Sequence, residues 1–364
     1  MIKNIKKYTS YMLIFITIFM FVGCNKKQYE NVKEKDVFDM KTATKIVESY
    51  FNYIQADKYD EVGKLLEEKA KTDTKNLKPS ELRIRGYRIS EVTESGGEGD
   101  FKIDVIKSSL SKPETQLIEY RIKVAKKGME YKITEVETSL FKEAFQKNNQ
   151  IRFRKESNIE TLLVTDMDGI PQYGYAKNDS GKLQSELIPK NNFGICSLSY
   201  SGSMLGITTK GDGTFVGILM IDDTIQTQGA NKDKEKNGQS SDNKDFSNVV
   251  KEKPIGKNLL VCDLLKNTNV ENIVFSQNDK LLLIQYTKDK NTCIKVFNTE
   301  SGESIPTNFE EEYPLSKVNV IFREFKKDKM TFSVISKDSK EKDNKYVGEW
   351  ELDLKSYKIS KEKK

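Results

Sequence analysis

Ile273-Val274-Phe275-Ser276-Gln277-Asn278-Asp279-Lys280, running into an apolar stretch from Leu281 to Tyr286, decides the fold of the larger half of this chain. It reads as a short apolar strand, a polar turn and a second apolar strand. The same layout occurs in Ile195-Cys196-Ser197-Leu198-Ser199-Tyr200-Ser201-Gly202-Ser203, which leads into Met204-Leu205-Gly206-Ile207. It occurs again where Val320-Ile321-Phe322 and Lys327-Asp328-Lys329 lead into Met330 to Ile335. Each copy is followed by a third strand that stops at an acid or amide: Asp222, Asn298 and Asp353. A weaker first copy ends at Tyr173-Gly174-Tyr175-Ala176-Lys177-Asn178. With the polar stretch from Gly229 to Gly256 set aside, the end points recur at 44, about 48 and 55 residues, near the period of a propeller blade.

Strand, Ser, polar residues, Asp-Lys, strand, and then a strand closing on an Asn or Asp turn together resemble WD-repeat-like and TolB-like β-propeller blades. The resemblance implies an all-β domain of about four blades over residues 158–364, within the four to eight that propellers use. A β-sandwich or an incomplete propeller is the structural alternative. Residues 229–256 are read as a disordered loop between blades, because residues 231–245 are almost wholly Asn, Lys, Asp, Glu, Gln, Gly and Ser.

Upstream the pattern changes. Ala43, Ile46, Val47, Tyr50, Phe51 and Ile54 form one helical stripe, and Tyr59, Val62, Leu65, Leu66 and Ala70 continue it after a break at Asp57-Lys58. Beyond Pro79 the period becomes two. Leu82, Ile84, Tyr87 and Ile89 alternate with arginines, and Gly86 shifts the phase as a β-bulge does. Phe101, Ile103 and Val105 form a second strand, Tyr120, Ile122 and Val124 a third, Tyr131 and Ile133 a fourth. Each carries one apolar and one charged face, which predicts a sheet covered by helices from one side. Two helices and an antiparallel meander resemble the nuclear-transport-factor-2-like cone fold. On this reading residues 42–140 are an α+β domain, and the polar stretch 141–157 is a linker to the propeller-like domain.

At the N-terminus, Lys3, Lys6 and Lys7 precede an uncharged apolar run from Tyr11 to Val22. At about 1.5 Å per residue the run is too short to span a bilayer core of about 30 Å, but it fits a secretory leader. Phe21-Val22-Gly23-Cys24 resembles a bacterial lipobox, with Phe where Leu is usual. The resemblance implies cleavage after residue 23 and a diacylglyceryl group on Cys24. Residues 24–41 then form a polar tether, and the protein sits on the extracytoplasmic face of the cell membrane.

Composition narrows the chemistry. There are 61 Lys+Arg against 55 Asp+Glu, a net charge of +6; without Lys3, Lys6 and Lys7 of the leader the balance is 58 − 55 = +3, too mild to argue for a nucleic-acid partner. The absence of histidine excludes Ser-His-Asp and Cys-His catalysis and His-ligated zinc. Cys196, Cys262 and Cys293 sit in apolar contexts and read as buried thiols. Asp166-Met167-Asp168-Gly169 starts like a calcium loop but has Pro171 and Lys177 where such a loop needs Gly and Glu, so it reads as a turn. Arg83, Arg85 and Arg88, with Arg121 across the sheet, form a candidate anion- or partner-binding patch. No catalytic residue, metal ligand or cofactor motif emerges. The expectation is a lipid-anchored, non-enzymatic binding, scaffold or sensor module with a protein or cell-wall partner. The rival readings are a solute-binding lipoprotein of a transporter and a carboxylate-dependent hydrolase.

Overall fold

A computed structural model describes residues 38–70, 81–156, 158–175, 184–224, 252–338 and 345–362. Cys24, the tether to residue 37, and residues 225–251 of the polar stretch lie outside them. The described body from Met40 onward is one compact unit, mostly β and largely antiparallel.

Helix α1 (Met40–Gln55) buries Ala43, Val47, Tyr50, Phe51 and Ile54, the stripe expected from the 3–4 spacing. A turn at Asp57, with φ of 57°, leads into the short α2 (Tyr59–Leu65). The chain then runs as a continuous meander of six strands: β1 (Leu82–Ser95), β2 (Glu98–Ser109), β3 (Glu114–Lys127), β4 (Glu130–Lys147), β5 (Gln150–Lys155) and β6 (Leu162–Asp166). Residues 141–157, expected to be a linker, instead hold the end of β4 and all of β5, and no gap separates the two halves. The stretch is charged on one face only: Ala144, Ile151 and Phe153 are fully buried between its polar residues.

The sheet is also covered on both faces rather than one. Phe101, Ile103 and Val105 of β2 and Ile118, Tyr120 and Ile122 of β3 are paired across the strands on the face that packs against α1. Further along, Ile106 and Leu117 are paired on the opposite face and join a different core with Leu198, Tyr200 and Leu205. Length explains this. A 14-residue strand extends about 45 Å, and a 16-residue helix about 24 Å, so α1 cannot cover the sheet from end to end. Bulges adjust the phase: register shifts lie between Ile84 and Gly86 and between Leu117 and Ile118. A methyl group on Gly86 would fall 2.3 Å from the Tyr200 hydroxyl, so the bulge glycine makes room for the neighbouring core.

After a two-residue pair, β7 (Tyr173–Gly174) and β8 (Glu186–Leu187), come three successive antiparallel sheets. The first contains β9 (Asn192–Leu198), β10 (Met204–Lys210), β11 (Gly213–Ile221) and β12 (Gly256–Lys266). The second contains β13 (Thr268–Phe275), β14 (Leu281–Lys288) and β15 (Asn291–Asn298). Helix α3 (Phe309–Glu312) precedes the third, made of β16 (Val318–Phe325), β17 (Lys329–Ser336), β18 (Gly348–Asp353) and β19 (Ile359–Lys361). Each repeat read from the sequence becomes a three- or four-stranded meander, and together they form an all-β, propeller-like succession. The weak copy at residues 173–178 does not: its described strand is only two residues long, and Tyr173 is exposed.

The repeats share detail as well as layout. Ser199 Oγ accepts from the Met204 N–H at 3.1 Å, and Ser276 Oγ accepts from the Leu281 N–H at 2.9 Å. Each serine thus closes the polar turn in its own sheet. The three end residues form Asx turns: Asp222 Oδ1 accepts from Thr224 N, Asn298 Oδ1 from Glu300 and Ser301 N, and Asp353 Oδ1 from Lys355 and Ser356 N. The two sides of the polar stretch meet, since Ile221 pairs with Gly256 and the Asp222 N–H donates to Ile255 O at 3.0 Å.

Candidate functional site

The turn of the opening sequence, Ser276 to Lys280, is also where the six-stranded sheet, the first meander and the third meander meet. Asp279 takes the αL conformation, with φ of 60°. Its carboxylate accepts from the N–H groups of Tyr200 and Ser201, each at 2.8 Å. Gln277 Nε2 donates to Tyr87 O of β1 and to Phe325 O of β16, each at 3.0 Å, while Gln277 O accepts from Arg88 at 2.9 Å. One side chain and its own carbonyl therefore clamp three parts of the molecule.

Arg88 is the other half of the clamp. It faces Asp104 across the β1–β2 pairing and binds its carboxylate through Nε at 3.1 Å and Nη2 at 2.7 Å. Its guanidinium lies 5.1 Å from the centroid of the Tyr200 ring, a cation–π contact. Tyr200 is buried beneath it, and burial pushes its phenol well above the ordinary tyrosine range.

Beside this clamp runs a cleft of about 520 Å³, with Glu48 and Asn52 of α1 on one wall and Glu324, Lys326 and Lys327 on the other. Tyr87 and Gln277 form its floor. Tyr87 stacks on Phe51 at 4.7 Å and donates its hydroxyl to Asn52 Oδ1 at 3.4 Å. Burial raises the Tyr87 pKa, and the Glu324 and Glu48 carboxylates add to the shift. The cleft thus offers amides, a phenol and both signs of charge.

The other expected patch residues do not gather here. Arg83 pairs with Asp57 at 2.6 Å, beyond the end of α1. Arg121, on the third strand, is exposed and pairs with Glu119 at 3.2 Å, and Glu119 also holds Lys102 at 2.8 Å. Arg85 occupies the bulge, and its Nε donates to Ser108 O at 3.4 Å while its Nη2 is buried without a hydrogen-bond partner. Burial, with Arg83 close by, pushes its guanidinium down to about 10, still protonated at neutral pH. The expected arginine patch is therefore a set of separate, mostly acid-paired sites, and Arg88 alone lines the cleft. Sequence reading missed Gln277 and Asp279 as clamp residues. Their signal was present in the polar turn, but no sequence pattern states what a turn will meet.

The thiols of Cys196, Cys262 and Cys293 are buried and unbridged. Burial pushes Cys293 up to about 12 and Cys196 higher still. At Asp166 the chain forms a turn, with Gly169 N–H donating to Asp166 O and Oδ1.

No protein-family model matches the chain, and no curated protein matches it. Solved structures that resemble it include a dipeptidyl aminopeptidase IV candidate from Bacteroides ovatus, at 11% identity and a TM-score of 0.26, over 70% of this chain and 42% of that one. Prolyl oligopeptidase B from Galerina marginata matches at 8% identity and a TM-score of 0.25, over 77% and 42%. TolB from Acinetobacter baumannii matches at 10% and 0.19, over 56% and 58%. The matched part spans about half the length of these proteins. At these scores the likeness transfers neither fold nor activity, so the fold stands on its own strand pairing.

Proposed function

We propose that the protein is a lipid-anchored extracytoplasmic module, held through a diacylglyceryl group on Cys24, that binds a protein or cell-wall partner without catalysing a reaction. The anchor reading rests on the sequence: basic lysines, a short apolar run and Cys24 at its polar edge. Two acyl chains at about 0.8 kcal/mol per buried CH₂ suffice for stable residence on a bilayer.

The observation that carries the binding role is the cleft at the clamp. Arg88 and Gln277 spend their hydrogen bonds holding three parts of the fold together, which leaves a preorganised floor. Lys326 pairs with Glu324 at 2.8 Å, and Lys327 and the Asn52 amide nitrogen stand at the walls to meet a polar surface. A preorganised site binds with less ordering cost than a mobile one.

A photo-crosslinking residue at Lys327 on intact cells tests the role. Capture of one discrete partner there, absent when the residue sits at exposed Met129, is the expected result. Equal capture at both positions sinks the cleft as the site. For the anchor, a fatty-acid label should appear on the wild type and vanish in Cys24→Ala. Labelling that survives the substitution refutes it.

A further inference from the structure

A second cavity, of about 740 Å³, opens between β8, the segment leading to β9, the β10–β11 turn and the end of β12. Asn191 precedes β9 and Tyr200 follows it, so this cavity and the clamp lie at opposite ends of that strand. Its walls are held in place. The Ile188 N–H donates to Gln172 O at 3.0 Å, and the Asn191 N–H to Lys210 O at 2.9 Å. The Lys190 ammonium donates to Met167 O at 3.1 Å and to Ile170 O at 2.7 Å. Gly211 packs so close to the wall that a Cβ on it would lie 2.9 Å from the Pro189 Cβ.

The charges around the cavity cancel: Glu186 and Asp212 stand against Lys190 and Lys266, and Glu186 pairs with Lys266 at 2.9 Å. The groups left for a ligand are chiefly amides. The side chains of Gln172, Asn191 and Asn267 border the cavity and make no hydrogen bond among the described residues. The exposed Asp212 carboxylate is likewise unpaired among them. Beside these groups stands an apolar rim. Leu187 lines the cavity and pairs with Tyr173 across β7 and β8, so the two side chains share one face. They are 65% and 56% exposed.

A cation or an anion gains little from walls whose charges sum to zero. A neutral ligand rich in hydroxyl groups fits them better. Each hydroxyl donates and accepts at one atom, so it can bridge an amide to the Asp212 carboxylate, which only accepts. A sugar ring also presents apolar C–H faces, which match the body of a tyrosine ring and a leucine. The volume lies within the roughly 300–1,000 Å³ of small-molecule sites.

We propose that this cavity binds a neutral oligosaccharide, its hydroxyl groups on Gln172, Asn191, Asp212 and Asn267 and one ring against Tyr173 and Leu187. The site is independent of the lipid anchor and of the clamp cleft, so it stands or falls apart from them.

Titration calorimetry on the folded chain tests it, with cellotetraose, maltotetraose and tri-N-acetylchitotriose as probes and N-acetyl-trialanine amide as a neutral peptide control. At least one sugar should bind, and more tightly than the peptide. Its affinity should be the same at about 0.1 M and about 1 M salt, between which the Debye length falls from about 10 Å to about 3 Å. Asn191→Ala keeps the backbone hydrogen bond to Lys210 and should weaken binding about three- to tenfold, the scale of one neutral hydrogen bond. Tyr173→Ala should weaken it by a similar factor, while Tyr173→Phe, which keeps the ring, should not. Circular dichroism checks that each variant is folded. The proposal is overturned if none of the three sugars binds, if the peptide binds as well as they do, or if salt weakens the binding. It is also overturned if folded Asn191→Ala or Tyr173→Ala binds like the wild type.

Discussion

On one face of the six-stranded sheet the cover is a helix and the closure is aromatic. Phe51 stacks on Tyr87 at 4.7 Å and meets Tyr120 edge-on at 5.4 Å. On the opposite face the same strands meet the first meander, and polar clamps stand beside the apolar packing. Arg88 holds Asp104, Asp279 holds two N–H groups, and the buried Lys142 and half-buried Lys155 both reach Asp223, at 3.2 and 2.9 Å. The difference shows how the two interfaces were made. A helix stripe can be matched to a sheet by size and shape alone. Joining two sets of strands leaves turns and strand ends at the seam, and their backbone groups need partners.

The comparison predicts that the aromatic face fails by volume and the clamped face by geometry. Phe51→Ala should cost about 3–5 kcal/mol, the range for a fully buried phenylalanine, read by chemical denaturation. A loss under about 1 kcal/mol would show that α1 is not the main cover of that face.

Gly86→Ala should cost about 1–3 kcal/mol, because its new methyl group overlaps the Tyr200 hydroxyl. Tyr200→Phe in the same chain removes that oxygen and should recover most of the loss. Additive losses in the double variant would mean that the bulge, not the contact, requires glycine.

A smaller effect belongs to acid. Partial burial pushes the Glu252 carboxyl up, but Arg152, at 2.7 and 3.1 Å, and the Leu163 N–H outweigh it and hold its pKa below the usual range. A depressed folded pKa gives stability that is complete above the unfolded value of about 4.3 and disappears as pH falls through the folded value. Glu252→Gln should therefore flatten the fall in stability below about pH 4 while leaving its shape at neutral pH unchanged. An acid limb identical to the wild type would count against the pair.

The smallest effect is expected where the two ends of the polar stretch already meet. Replacing residues 231–248 with a short Gly/Ser linker should move the melting temperature by only a few degrees, since loop-closure entropy changes by about 0.6 kcal/mol per doubling of length. A larger drop would show that this stretch contributes contacts of its own.

Much of this molecule is legible in its sequence. Helical spacing marks the buried stripe of α1, period-two runs mark the strands, and Gly86 marks a bulge. Ser276, Asn298 and Asp353 mark turns whose hydrogen bonds then close as their chemistry demands. These features share one cause: each is settled by a residue and its neighbours within a few positions. The tertiary structure alone decided the rest. The continuation of the sheet through residues 141–157, the burial of its second face, the dispersal of the arginines and the clamp at Gln277 and Asp279 all depend on groups far apart in the chain. Alternation records that a strand has two faces but not what covers each of them along its length. An arginine records a charge but not which carboxylate will neutralise it, because strand register and bulges choose that partner.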